Sequence, residues 1–159
     1  MKRDVTIRVV DKDEVDILTE YRLEYLDELQ GSVTDKYKEE LRRELNRYFS
    51  ETIENNHFFA LMAIRGSNIV SFGGMVIKKI PGDINKAFYL EGDILNMYTI
   101  PCERRKGYSS LILKELLMEA TKRGISKVSL HTSKDGEVLY RKFGFKDPTY
   151  PVLELLTSK

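Results

Sequence analysis

The chain has 159 residues, 42% of them hydrophobic, with 26 Lys and Arg against 25 Asp and Glu, for a formal net charge of +1. That balance supplies no global field for nucleic acid or an anionic membrane, so any polyanion must be met locally. No apolar run is long enough to span a bilayer, the segment Met1-Lys2-Arg3-Asp4-Val5-Thr6 lacks a signal-peptide core, and the lone Cys102 can form no internal disulfide, so the expectation is one cytoplasmic domain, residues 1–159, held by packing.

Residues 6–10 are short, β-branched and alternating, which predicts an opening strand that ends where Asp11 can cap a helix. Val15, Leu18, Tyr21, Tyr25 and Leu29 then recur with helical spacing, so a first helix is expected to run to Gln30 and stop at Gly31. A second helix is expected over 35–55. Tyr37, Leu41, Leu45, Tyr48, Phe49 and Ile53 form its apolar stripe, and the charges Glu39, Glu40, Arg42, Arg43 and Glu44 read as its solvated face.

From His57 the period changes. Residues 58–64 and 69–72 flank Arg65-Gly66-Ser67-Asn68, the pattern of a hairpin. Gly73-Gly74 marks a bulge or a close backbone approach; the strand resumes at Met75 and closes at Pro81-Gly82-Asp83. A longer strand is expected over 88–100, then a basic turn, then a helix with Leu111, Ile112, Leu116, Leu117 and Ala120 apolar and Gly124 just beyond its end. A strand over 127–131, a short helix over 135–143 ended by Gly144, and a final strand over 152–156 complete the order β-α-α-β-β-β-α-β-α-β. This is a mixed α/β (α+β) class, with a parallel strand pair across the helix that follows the basic turn.

The stretch 96–111 reads as strand, basic turn and helix start. A helix that begins near Lys106 or Gly107 leaves several backbone N–H groups without an intrahelical partner, and its dipole adds positive charge there. Gly107 lets a ligand approach without a Cβ in the way, and Ser109 keeps the wall low, so a diphosphate suits this turn. Most of the binding is expected from the amides of residues 105–110, with Arg104, Arg105 and Lys106 adding local charge. Three basic residues without regularly spaced aromatics make a poor nucleic-acid footprint.

The spacing Arg104-x-x-Gly107-x-Ser109 resembles the pyrophosphate-binding signature (R/Q)-x-x-G-x-(G/A) of the GNAT superfamily of acyl-CoA-dependent N-acetyltransferases, with Ser where that family prefers Gly or Ala. A second block, Ser129-Leu130-His131-Thr132-Ser133 followed by Leu139-Tyr140-Arg141-Lys142-Phe143-Gly144-Phe145, is similar to that family's Leu-Tyr-x-x-x-Gly-Phe pattern. The likeness in motifs covers residues 89–145; before that, only the order of elements agrees. The resemblance implies a GNAT-like central mixed, mostly antiparallel sheet with helices on both faces. It also implies transfer of an acetyl group from acetyl-CoA to a primary amine by direct attack on the thioester, with no metal.

The resemblance further implies roles for particular residues. In the family, the strand before the cradle splays from its neighbour, and its free backbone groups pair with the pantetheine arm and the acetyl carbonyl. Met97, Tyr98 and Thr99 take that place, with a backbone N–H near Thr99 as oxyanion donor. Arg104, Arg105, Lys106, Gly107, Tyr108, Ser109 and Ser110 would hold the diphosphate. Tyr140, beside the thioester sulfur in the family, is the candidate general acid, because a phenol of pKa ~10 can protonate a leaving thiolate. A tyrosine on an apolar helix face is equally a packing residue.

Glu91 or Asp93 could take the amine proton directly or through water, and Asp93 falls where several family members carry an acid; both also read as exposed strand carboxylates. Ser133 and Asp135 suit a helix cap, and Ser133 also suits a hydrogen bond to the pantetheine arm. His57 and His131 have no second ligand at metal spacing, and Cys102, although beside basic residues, is not needed for direct transfer.

Three classes stay open at this point: an acetyltransferase, a non-catalytic acyl-CoA-binding module or sensor, and an unrelated α/β binding domain. The acceptor, a small-molecule or peptide amine, is not legible. Glu24, Asp27, Glu28 and Glu39 stand beside Arg22 and Arg42, and an acidic lining would favour a polyamine or aminoglycoside. Monomer and homodimer are both compatible with the sequence, and neither nucleic acid nor membrane is expected as a partner.

Overall fold

In the computed structural model, which describes residues 4–158, five strands form one open sheet in chain order. They are β1 (Val5–Val9), β2 (Phe58–Arg65), β3 (Asn68–Pro81), β4 (Phe88–Thr99) and β5 (Ile125–Ser129), joined by helices α1 (Val15–Gln30), α2 (Asp35–Glu54), α3 (Tyr108–Lys122) and α4 (Lys134–Lys142). The first four strands pair antiparallel, and β5 lies parallel to β4 because α3 crosses over between them.

Local chemistry sets the helix ends. Asp11 accepts from the Asp13 amide while Glu14 reaches back to the Asp11 amide at 3.0 Å, a reciprocal cap. Arg8 on β1 holds both oxygens of Glu14 at 2.7 Å, so strand and helix start are locked together. The first turn, Lys12–Glu14, is 3-10, and α-helix follows from Val15. Gly31, at φ 85°, ends α1 by donating to the Asp27 carbonyl at 3.0 Å. Thr34 caps α2 through its side chain.

Strand alternation sorts the core into two layers. Phe58, Ala60 and Met62 face α1 and α2, where Leu18, Phe49, Phe72 and Tyr98 join them. Phe59, Leu61 and Ala63 face the opposite side, against Met75, Ile112, Leu113 and Leu116, with Leu139 and Tyr140 of α4 and Phe143 just after it packed at its margin. Each large side chain so buried contributes about 1.5–3 kcal/mol relative to exposure.

The glycine pair in β3 does admit a close approach, but the extra residue lies on the other strand. Gly74 pairs with Leu95 and Phe72 with Tyr98, so Asn96 and Met97 together oppose Gly73. Asn96 adopts φ 61° at this bulge. The added residue switches the alternation: Leu95 and Tyr98 both enter the α1–α2 layer, whereas Ile94 and Met97 both enter the α3 layer.

Other boundaries shift modestly. β1 starts one residue before the expected strand and β5 two before it, because Gly124 at φ 76° turns α3 directly into Ile125. The final strand over 152–156 does not form. Val152, Leu153 and Leu155 are 70%, 92% and 84% exposed, and no ladder beyond β5 includes them. An apolar run becomes a strand only where a sheet edge takes up its backbone groups, and this one is not laid along that edge.

Candidate active site

The basic turn begins with a 3-10 turn, Pro101–Glu103, and ends at Gly107, the cap of α3. Arg105 and Gly107 both take left-handed φ, 65° and 81°, on either side of Lys106. Such alternation turns successive amides toward one concavity, the geometry of an anion nest. The Arg104 amide bonds the Pro101 carbonyl and the Leu111 amide bonds Gly107. Among the described residues, no carbonyl partner is seen for the amides of Arg105, Lys106, Gly107, Ser109 or Ser110.

The basic side chains are mostly committed elsewhere. Arg104 donates to the Thr99 carbonyl at 2.9 Å and forks onto Glu28 of α1 at 2.6 and 2.7 Å, which holds the Glu28 carboxyl below the usual range. Lys106 lies 3.0 Å from Glu103, which also pairs with Arg65. Glu103 is buried, so the turn is braced from beneath by one carboxylate between two cations. Ser109 keeps its hydroxyl 3.2 Å from that of Thr99, which lies 2.8 Å from that of Ser71. This hydroxyl chain ties β3, β4 and α3 together and gives the third small position of the motif a structural use for Ser.

β4 outruns its parallel neighbour. Pairing with β5 ends at Asp93 and Ser129, while β4 continues to Thr99. Residues 94–99 therefore have β3 on one side and, among the described residues, no strand on the other. The Tyr98 carbonyl accepts from Ser71 on β3, and the Ile100 amide bonds Val70 there, so alternation turns the Thr99 amide toward the open side. The Tyr98 ring is buried in the α1–α2 layer, edge-on to Tyr25 at 5.9 Å.

Tyr140 is half-buried in the α3 layer and edge-on to Phe145 at 5.8 Å. Burial pushes its phenol up, with a smaller push from Tyr25. Ser133 caps α4 by accepting from the Gly136 amide at 3.2 Å, and Asp135 is an exposed first-turn acid. Asp93 is half-exposed and 2.8 Å from Lys78, while Glu91 pairs with Lys127 at 3.0 Å. Cys102, His57 and His131 are exposed. Among the described residues, no group of His, Cys, Asp and Glu is arranged to hold a metal, and no helix is long and apolar enough to cross a membrane.

A family model described as the acetyltransferase (GNAT) domain matches residues 54–147, more than half of the chain. The chain belongs to the GNAT acetyltransferases. A solved structure of a predicted acetyltransferase from Clostridium acetobutylicum, determined with acetyl-CoA, is 30% identical, with 96% of each chain covered and a TM-score of 0.80. A GCN5-related N-acetyltransferase from Ralstonia eutropha JMP134 shares the fold at 18% identity and TM-score 0.74, covering 95% of this chain and 98% of its own. Glucosamine-6-phosphate N-acetyltransferase from Arabidopsis thaliana does so at 20% identity and TM-score 0.68, covering 95% and 97%. No curated protein sequence matches.

On this GNAT frame, several residues escaped the reading of the sequence. Glu103 looks like any surface acid until the turn buries it between Arg65 and Lys106. Asn96 carries a weak signal, since Asn tolerates left-handed φ, but nothing in the sequence marks which residue of β4 is the extra one. Arg22 and Tyr25 come from the half of the chain that no motif covers. The Arg22 guanidinium lies 5.4 Å from the Tyr25 ring and donates to the Asn96 side chain at the bulge.

Proposed function

We propose that this GNAT member transfers the acetyl group of acetyl-CoA to a primary amine by direct attack of the amine on the thioester. The observation that carries the reading is the run from the open edge of β4 past Asp93 into the left-handed turn at Arg105 and Gly107. A pantetheine arm needs unpaired strand amides, a diphosphate needs converging ones, and this run supplies both in sequence. A Cβ at Gly107 would be strained at φ 81°, consistent with a turn kept open for a ligand. Acetyl-CoA, when bound, supplies an activated acyl group with a good leaving thiolate.

The rest is asked of the chain's own residues. The backbone of Met97, Tyr98 and Thr99 orients the arm, and the outward Thr99 amide is the oxyanion donor. The amides of residues 105–110 hold the diphosphate, assisted by Arg105, whose side chain has no ion pair among the described residues; Arg104 and Lys106 act mainly by shaping the turn. Tyr140 donates the proton to the departing sulfur; its raised phenol stays protonated at neutral pH. Asp93, paired with Lys78, takes the amine proton through water. Ser133 adds a contact to the arm from the start of α4.

The test is thermal stabilisation by acetyl-CoA followed by release of CoA thiol with a panel of amines. Acetyl-CoA at about 100 times its dissociation constant would add about 2.7 kcal/mol of stability. No rise in melting temperature, or a rise with no thiol released by any amine, would sink the reading.

A further inference from the structure

We propose that Arg22 anchors a carboxylate on the acceptor, so that the substrate class is a small amine that carries a carboxylate, such as an amino acid. This rests on the acetyl transfer proposed above. Most of the acidic lining that would suit a polyamine is already neutralised by the chain's own cations, Glu24 being the one acid of that set without an ion pair among the described residues. Glu20 and Glu39 are both taken by Arg42, Asp27 by Lys38 and Glu28 by Arg104. Arg22, in contrast, forms no ion pair among the described residues.

Its surroundings make that lack of an anion costly. Arg22 is half-buried, and among the described residues its one side-chain hydrogen bond runs to the side-chain oxygen of Asn96, although a guanidinium carries five donors. Burial lowers its pKa, opposed only by the phenols of Tyr25 and Tyr48. Among the described residues, the buried side-chain atoms with no partner are Thr19 Oγ1 and Asn96 Nδ2. Thr19 lies one turn before Arg22 on the same helix face, and Asn96 is the residue that Arg22 touches. An unneutralised cation is thus flanked by two unsatisfied polar groups.

The position is the one an acceptor would use. Asn96 immediately precedes Met97, whose strand runs on to Thr99 along the open edge. Tyr25, one turn beyond Arg22, packs edge-on to Tyr98. A molecule held at Arg22 therefore lies beside the strand assigned to the chemistry. A carboxylate fits better than a phosphate, because one planar guanidinium matches one bidentate single charge, whereas a phosphate dianion would ask for a second cation and Arg104 is committed to Glu28.

The experiment follows release of CoA thiol from acetyl-CoA with amino acids, the matching amino-acid amides, polyamines and an amino-sugar phosphate, using wild type, Arg22→Gln and Arg22→Lys. Amino acids are expected to be the substrates, with their amides poorer by roughly tenfold to a hundredfold in KM, the size of one charge-assisted pair. Arg22→Gln should raise KM for the acid by a similar factor and leave that for the amide unmoved, and Arg22→Lys should recover part of the loss. All three chains should keep the rise in melting temperature with acetyl-CoA, which separates a lost acceptor contact from a lost fold. Preference for a polyamine or the amino-sugar phosphate, or equal loss for acid and amide in Arg22→Gln, would overturn the inference while leaving acetyl transfer standing. No stabilisation by acetyl-CoA in wild type would overturn both.

Discussion

Gly73 faces the bulge of β4, and an alanine there would put a Cβ 2.5 Å from Met97 Sδ, 2.8 Å from Ile112 Cγ2 and 2.9 Å from Leu116 Cδ1. Carbon contacts are comfortable at about 3.5–4.0 Å, so all three neighbours must move. Ile112 and Leu116 are fully buried under α3 and have no room, which leaves the more pliable Met97 to give way. Overpacking of this kind costs about 2 kcal/mol, or roughly 4–8 °C in melting temperature for a chain of this size. Because Met97 lies on the open edge, KM for acetyl-CoA should rise as well. Gly124→Ala is the control: its φ of 76° makes alanine strained, but nothing lies within 4 Å. It should cost about 1–2 kcal/mol of backbone strain and leave KM unchanged. Thermal melts with and without acetyl-CoA read both quantities. If Gly73→Ala melted within about 1 °C of wild type, or shifted KM no more than Gly124→Ala, the packing account of the bulge would be wrong.

Tyr140→Phe should lower kcat about a hundredfold with little change in KM for acetyl-CoA, as expected for loss of a general acid. Since burial raises the phenol, wild type should hold its rate up to and past pH ~10, and the variant should lack that alkaline fall; a pH–rate profile checks both. Glu14 is held down to about 2 by Arg8 and the Asp11 amide, against an ordinary value of 4.5. Its stabilisation is therefore complete above pH 4.5 and lost as pH falls toward 2, by about 1 kcal/mol once solvent screening is counted; Glu14→Gln should flatten that part of the stability–pH curve. Glu103→Gln leaves Arg65 and Lys106 without their shared anion and should cost about 1–3 kcal/mol in a denaturant melt, with acetyl-CoA restoring part of it.

The sequence carried the elements wherever the cause was local. Asp11, Gly31 and Gly124 mark helix boundaries through caps and left-handed φ. The turn ahead of α3 was legible for the same reason, since Arg104, Gly107 and Ser109 are neighbours in the chain. What escaped depends on distant partners. Gly73-Gly74 announced an irregularity, but the extra residue belongs to the strand opposite, and only pairing reveals it. The run at 152–156 has the composition of a strand but is not laid along an edge of the sheet. Arg22 is one charge among many until the pairings of α1 with α2 and the basic turn take up most of the acids around it.

The most direct test of the central claim is to quantify acetylated amine and free CoA thiol together, by mass spectrometry and thiol titration, in one reaction of the chain with acetyl-CoA and an amine acceptor. Acetyl transfer predicts that the two appear in equal amounts and that neither appears without the acceptor. Thiol released without acetylated amine, or acetyl-CoA bound with neither product from any amine, would contradict it.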